Sequence, residues 1–323
     1  MVRRRRIPVR SGGGKMLRMR KLKDRIASRI MLSAAVFSGL LALVIAVALY
    51  LRSRPILGVN SLGDLVFGST WLPSQGQFGL YPFIVGTVLV TVLAMLIAAP
   101  LSILTGIYLA EYAHQKVKAR VMPLIDLLAG IPPVVYGVFG LLAIVPLVGK
   151  IAPVAAKSGI PFLRAADYAT GFSLLAGGVV LAIMVFPIII SITEQVLRAV
   201  PDEIREASLS LGATRWQTIK HAVMKLAFPG VGAAVILGFS RAFGETMAVL
   251  MVVGNVPRVP TSVFDPAYPL PALIANNYGE MMSIPKYDSA LLLAALMLML
   301  VILFFTLAAR LILMRIERRM AYG

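Results

Sequence analysis

Pro201-Asp-Glu-Ile-Arg-Glu-Ala-Ser-Leu-Ser-Leu-Gly-Ala-Thr-Arg-Trp216 is a polar stretch that leads, through Phe228-Pro229-Gly230, into an apolar one holding Arg241 and Glu245 before Gly254. The first half suits water and a soluble partner. The second is apolar enough to cross a membrane, yet it carries two ionisable groups near its middle.

Composition sets the class. Apolar residues make up 59% of 323 and charged residues 14%, where a soluble domain carries roughly 45–50% and about 25%. Mean hydropathy is strongly positive. The chain therefore reads as an all-α integral membrane protein. A span needs about 20 apolar residues, and six windows qualify: 31–51, 83–110, 124–148, 171–193, 230–254 and 288–313. The third is interrupted by Ile131-Pro132-Pro133, where lost backbone donors predict a kink or a broken helix packed against neighbours. Cysteine is absent, which excludes disulfides and thiolate metal sites, and His114 and His221 are too few for a histidine-rich metal centre.

The formal net charge of +18 is unevenly placed. Met1–Arg29 holds twelve Lys/Arg and one acid, Asp24; Arg3–Arg6 and Ser11-Gly-Gly-Gly read as an unstructured basic tail over residues 1–30, and Arg18–Arg29 as a basic interfacial helix. The apolar run that follows is too long for a cleavable signal. Nucleic acid, anionic headgroups and topology can each account for the excess, and beside so much apolar sequence the last two prevail. The tail, the 111–123 loop, the 194–229 loop and the C-terminal end from Arg310 on carry twelve, three, five and four Lys/Arg, against two, three and two in the 52–82, 149–170 and 255–287 loops. The asymmetry predicts both termini in the cytoplasm, with 31–315 as the membrane domain and 316–323 as a tail. In the opposite loops, Trp71, Tyr81, Tyr268 and Tyr278 suit an interface belt, or else the first and third of those loops dock an external partner.

The 194–229 loop is about 36 residues long, more than a plain connection needs. Ile204, Ala207, Ser208 and Leu211 fall at helical spacing. Asp202, Glu203 and Glu206 sit near that helix's start, where its dipole favours acids. Gly212 stands where a left-handed residue would end it, and Thr214 precedes Gln217 at capping-box spacing, starting a second helix towards Lys225. With four acids beside five bases, attraction to anionic lipid is weak. A knob for a soluble protein's groove fits better than an interfacial helix.

Glu206-Ala207-Ser208, three residues, Gly212, nine residues and a mainly apolar tetrad resemble the EAA loop of ABC-importer permeases. Ser208 replaces the second alanine, and Met224-Lys225 stands where Leu-Pro is usual. Trp71-Leu-Pro, Phe78-Gly-Leu-Tyr-Pro-Phe-Ile-Val-Gly-Thr87, Ile107-Tyr-Leu-Ala-Glu-Tyr112, Leu127-Leu-Ala-Gly-Ile-Pro-Pro-Val-Val-Tyr-Gly137, Arg241-Ala-Phe-Gly-Glu-Thr-Met-Ala-Val249 and Gly254-Asn255-Val-Pro resemble the phosphate-importer permeases, in the PstC-type form. The resemblance covers roughly residues 60 to 315. It implies the type I ABC-importer permease fold (MetI/PstC-like), a second permease of PstA type, a dimer of PstB-type ATP-binding subunits carrying ATP and Mg, and an external PstS-type phosphate-binding protein. It also implies that Glu203, Glu206, Ala207, Ser208, Gly212 and Arg215 meet the ATPase, and that Arg241 and Glu245 serve phosphate passage. Membrane lipids surround the chain, and no nucleic acid is involved.

On a continuous helix, Arg241 and Glu245 share a face. An ionised residue at mid-membrane costs at least ~2.5–3.5 kcal/mol, so it should face a cavity or a partner. One reading is a structural ion pair, although buried pairs often fail to repay desolvation. The other is a pathway, in which a guanidinium fork suits a tetrahedral oxyanion and a carboxylate accepts the remaining O–H of monohydrogen phosphate, which sulfate lacks. Thr87, Thr91, Ser240 and Thr246 are candidate pathway hydroxyls, or simply bond their own backbone. Asp126 is read as structural, and Gly137, Gly140, Gly177, Gly178 and Gly238 as close-packing positions. No G-x-x-x-x-G-K-[ST] loop and no nucleophile–base set is present, so hydrolysis of ATP belongs to a partner chain. Alternatives are a permease for molybdate, tungstate or sulfate, a secondary ion-coupled phosphate transporter, and a membrane anchor or sensor whose working part is the basic tail.

Overall fold

The computed structural model describes residues 13–157, 161–163, 170–280, 284 and 286–321. The Arg3–Arg6 run and the start of the Ser11-Gly-Gly-Gly segment lie outside these residues. The chain divides into two units, Met1–Leu51 and Arg52–Gly323.

The first unit is helical from Gly13. The basic segment and the first span are one helix, α1 (Gly13–Leu57), rather than a separate tail, interfacial helix and span. Lys and Arg are good helix formers, and neither Gly nor Pro interrupts residues 15–38. Nothing in that sequence stops the helix where the charges end.

In the second unit, α2 (Leu62–Phe67) starts under a Ser61 cap, whose Oγ accepts the Asp64 amide at 3.1 Å. A short antiparallel hairpin, β1 (Trp71–Leu72) and β2 (Gln77–Phe78), pairs Trp71 with Phe78. There follow α3 (Tyr81–Ile107), extended by a π turn over Tyr108–Tyr112, then α4 (Gln115–Gly130) and α5 (Pro133–Phe139). A π turn over Gly140–Ile144 joins α5 to α6 (Val145–Ala156). After these come α7 (Leu174–Arg198), α8 (Asp202–Ser210) and α9 (Arg215–Thr218). A π turn over Ile219–Val223 leads into α10 (Met224–Phe243). The remaining helices are α11 (Met247–Leu250), α12 (Leu270–Asn277) and α13 (Tyr287–Ala321).

Among the described residues, six helical segments are long and apolar enough to cross a membrane, and the chain is a multi-pass membrane protein. Two differ from the sequence expectation. The third runs over Pro133–Ala156, because Ile131-Pro132 separates it from α4. The fifth runs over Arg215–Phe243, about a dozen residues earlier than expected. Pro229-Gly230, expected to lead into the apolar helix, lies inside α10 instead. The apolar 247–253 stretch instead packs within the protein, with Ala248, Val249, Val252 and Val253 fully buried.

The core forms where α3 and α7 cross. Ala94 and Ala98 of α3 are fully buried against Leu181, Val185 and Ile189 of α7, with Ala234 of α10 completing the layer. Small residues allow this approach, which matters because lipid provides no hydrophobic drive between helices. A Cβ on Gly178 would sit 2.8 Å from Leu93, and one on Gly238 would sit 2.7 Å from Ile189.

The expected aromatic belt is split. Trp71 packs edge-on against Phe78 and Phe83 at 5.5 and 5.1 Å, and the buried Tyr268 accepts from Asn276 and Asn277. Tyr81 and Tyr278 remain exposed.

Candidate functional site

Two helix breaks lie side by side, because α5, which follows Ile131-Pro132, packs against α11, which follows Gly244. The fifth span stops at Phe243, and Gly244 turns the chain before α11. Arg241 is therefore in the last turn of α10 while Glu245 lies beyond it, so the shared helical face expected from their spacing does not exist. Among the described residues they form no ion pair. Glu245 Oε1 accepts the Ala248 amide at 3.2 Å. That satisfies one of the backbone donors a helix start leaves open. Arg241 is exposed, at a helix end that favours a cation. Among the described residues it has neither a hydrogen-bond acceptor nor an ion-pair partner.

Tyr136 belongs to the second break. It is buried on α5, and its hydroxyl donates to Leu128 O at 2.7 Å, spanning Ile131-Pro132 to reach a carbonyl near the end of α4. Gly137, beside it, lets α5 lie against α11. A Cβ there would stand 2.6 Å from Met251 Sδ and 3.2 Å from Ala248 Cα. Irregular backbone at membrane depth survives only where protein buries it or a cavity is lined by it.

Such a cavity exists. Thr87 and Thr91 of α3 face Ala242, Phe243 and Glu245 across a cleft of about 10 Å³. That is room for roughly one water molecule, far too little for a tetrahedral oxyanion. Both hydroxyls are engaged by backbone. Thr87 Oγ1 donates to Phe83 O at 2.7 Å and accepts from Leu270 N at 2.8 Å, while Thr91 Oγ1 donates to Thr87 O at 2.8 Å. Of the expected pathway set, Thr87 and Glu245 come together here. Arg241, Ser240 and Thr246 are not among its walls. Ser240 Oγ faces Thr306 on α13 at 3.4 Å, and Thr246 Oγ1 donates to Gly244 O.

At the far end of α7 sits the knob. The Ser208 carbonyl accepts from Ala213 N and the Leu209 carbonyl from Gly212 N, while Gly212 takes φ +83°. This is the Schellman closure of α8. Thr214 and Gln217 complete a capping box that opens α9. Glu203, Glu206 and Ala207 are exposed, and Ser208 Oγ meets Thr218 Oγ1 at 3.0 Å. Arg215 donates to Glu111 O and lies 5.0 Å over the Tyr112 ring.

Sequence reading missed the charges that hold the knob. Arg205 bonds both oxygens of Glu111, at 2.7 and 3.2 Å, and this contact pushes its pKa above the usual arginine value. A second pair joins Lys118 to the buried Glu194. Their partners are 94 and 76 residues apart, so no local spacing announces them. Among the described residues no three His, Asp or Glu side chains converge as a metal set would.

The model of a family described as "Binding-protein-dependent transport system inner membrane component" matches residues 102–321. The chain is 38% identical over 268 residues to the "Probable ABC transporter permease protein YqgH" of Bacillus subtilis, covering 81% of this chain and 82% of that one. It is 34% identical to the "Phosphate transport system permease protein PstC" of Mesorhizobium japonicum, covering 96% of each, and 35% identical to the Xylella fastidiosa protein of the same name, covering 93% and 94%. Among solved structures, an inward-facing MetNI methionine ABC transporter matches with TM-score 0.51 at 20% identity, covering 73% of this chain and 93% of that one. That likeness concerns the fold alone, which is the MetI-type ABC-importer permease fold.

Proposed function

The chain belongs to the family of binding-protein-dependent transport system inner membrane components, and within it we propose that this chain is the PstC-type permease that carries inorganic phosphate across the cytoplasmic membrane. The observation that carries the reading is Arg241: an exposed guanidinium beside a helix break, without an acceptor among the described residues. A cation with free donors of this kind attracts a tetrahedral oxyanion through its planar fork. Its isolation also suits a conduit, because a site with several donors would trap the ion.

Both termini lie in the cytoplasm, which puts the α8 knob there too. ATP and Mg are bound by a PstB-type dimer docked on that knob. A PstA-type permease closes the path, and a PstS-type protein delivers phosphate from outside. Arg241 contacts the passing anion. Glu245, at the cleft wall, accepts the O–H of monohydrogen phosphate and so reads the substrate's proton, while Thr87, Ser240 and Thr246 are polar neighbours of the route. The near absence of room in the cleft supports a path that is shut at this level until the subunits move.

The test is ATP-driven phosphate uptake by the assembled complex in vesicles, with sulfate and molybdate as competitors. Arg241→Lys should lower uptake roughly 10–100-fold, the range of a lost charge-assisted contact. Glu245→Gln should weaken discrimination between phosphate and sulfate. Wild-type rates in both variants would remove the proposal, and uptake of molybdate in preference to phosphate would move it to another oxyanion.

A further inference from the structure

Arg205 uses every donor it has. A guanidinium carries five N–H groups. Nε donates to Glu111 Oε2 at 3.2 Å and Nη2 to Glu111 Oε1 at 2.7 Å. Nη2 also donates to Leu197 O at 2.8 Å, and Nη1 donates to Val200 O at 2.6 Å and to Asp202 Oδ1 at 3.1 Å. The five acceptors come from three places: the π turn that ends α3, the C-terminal end of α7, and the first turn of α8 itself.

That saturation matters because α8 has little else to hold it. It has no buried residue of its own. Only Ile204 packs, partly buried, against the apolar cluster of Ile107, Leu197, Val200 and Ile219. Leu197 O lies in the last turn of α7 and Val200 O two residues past its end, so Arg205 also ties down the C-terminal end of that helix. Arg215 adds a bond to Glu111 O from the other side of the glycine turn. Glu111 is thus gripped by both arms of the knob.

Resting on the permease reading above, we propose that Arg205 and Glu111 form the positioning joint that passes the ATPase stroke from α8 to α3 and α7, in parallel with the chain's own path through α9 and α10. The two routes converge. The 10 Å³ cleft has α3 on one side, through Thr87 and Thr91, and on the other the end of α10, through Ala242 and Phe243, with Glu245 just past it. A push arriving along α10 alone would move one wall. With the Arg205 joint intact, the opposite wall is tied to the same lever, and the relative displacement of the walls is set by how the knob turns. Lysine cannot replace arginine here, because an ammonium has three donors and no planar fork to match a carboxylate.

The experiment compares wild type, Arg205→Lys, Glu111→Gln and the double variant in the complete transporter, reading phosphate taken up per ATP hydrolysed. Both single variants should assemble with the ATPase and hydrolyse ATP, with uptake per ATP lowered about tenfold, the order expected for loss of a charge-assisted bidentate pair. The double variant should be no worse than the poorer single one, because both act on one joint. Wild-type coupling in both variants, or losses that multiply, would overturn the proposal. So would failure of both to assemble, since the pair would then be holding the fold. If wild type takes up no phosphate, the permease reading fails on its own. The joint is still read by amide exchange over residues 202–211 in the assembled complex: faster exchange in both variants supports it, and unchanged exchange overturns it.

Discussion

Replacing Gly212 isolates a backbone effect from a packing effect. The residue holds φ +83°, and a Cβ built on it meets no atom within 4 Å. Gly212→Ala therefore brings no clash with neighbours. Its cost is the left-handed conformation alone, roughly 1–2 kcal/mol for a residue with a Cβ. That energy falls on a small structure. The turn is closed by Gly212 N to Leu209 O at 2.9 Å and Ala213 N to Ser208 O at 3.3 Å. α8 is short and buries nothing of its own, and the Arg205 contacts lie nearer its start, so they do not hold the turn itself. A penalty of this size raises local opening about 5–30-fold.

Amide hydrogen exchange over residues 208–214 in the purified complex reads that change. Gly212→Asn should exchange much less quickly than Gly212→Ala, because asparagine tolerates the left-handed region. Retention of the ATP-binding subunit through a salt wash should follow the same order. If Asn damages the turn as much as Ala, the space around the residue is limiting and the conformational argument is wrong. The same holds if Ala leaves exchange at the wild-type rate.

Three further substitutions address burial. Thr87→Val keeps the shape but strands the Leu270 amide, whose acceptor at 2.8 Å is the Thr87 hydroxyl; about 1–3 kcal/mol of stability should be lost, seen as a lower unfolding midpoint in detergent. Lys118→Ala leaves the Glu194 side chain, only 4% exposed, without its partner, at a cost of about 3–5 kcal/mol. Combining it with Glu194→Leu should restore most of that midpoint, and a neutral single variant would refute the argument. Gly137→Val drives a branched side chain into Met251 and Ala248, and overpacking of about 1–3 kcal/mol should appear as reduced yield of the assembled complex.

The fold was legible where the signal is local. Six apolar windows correspond to six helices, among the described residues, long and apolar enough to cross a membrane, and Gly212 with Thr214 marks both ends of the turn. The fifth span was misplaced for a physical reason. Residues 247–253 are as apolar as a lipid-facing helix because protein surrounds them, and hydropathy does not distinguish one apolar environment from the other. The true start was hidden in an amphipathic pattern. Ile219, Val223, Ala227 and Val231 form a buried stripe at four-residue spacing, while Lys220, His221 and Lys225 on the other faces lower the average. The Arg205–Glu111 contact had no local signal at all, since it depends on where α3 ends relative to α8.

The same break that displaced the span alters the chemistry proposed for it. Had α10 continued through residue 245, Arg241 and Glu245 would stand one turn apart on a common face. An anion approaching the guanidinium would then have to displace a carboxylate, giving up a charge-assisted contact worth about 1.5–3 kcal/mol before gaining its own. Gly244 removes that competition. Glu245 is turned towards the Ala248 amide, and Arg241 keeps its donors open. On the proposed pathway, a glutamate near the guanidinium therefore does not argue against an anionic substrate. The backbone donor that occupies its carboxylate is one a proton-bearing substrate can replace, whereas a guanidinium paired with that carboxylate would have its charge offset and one donor fork already occupied.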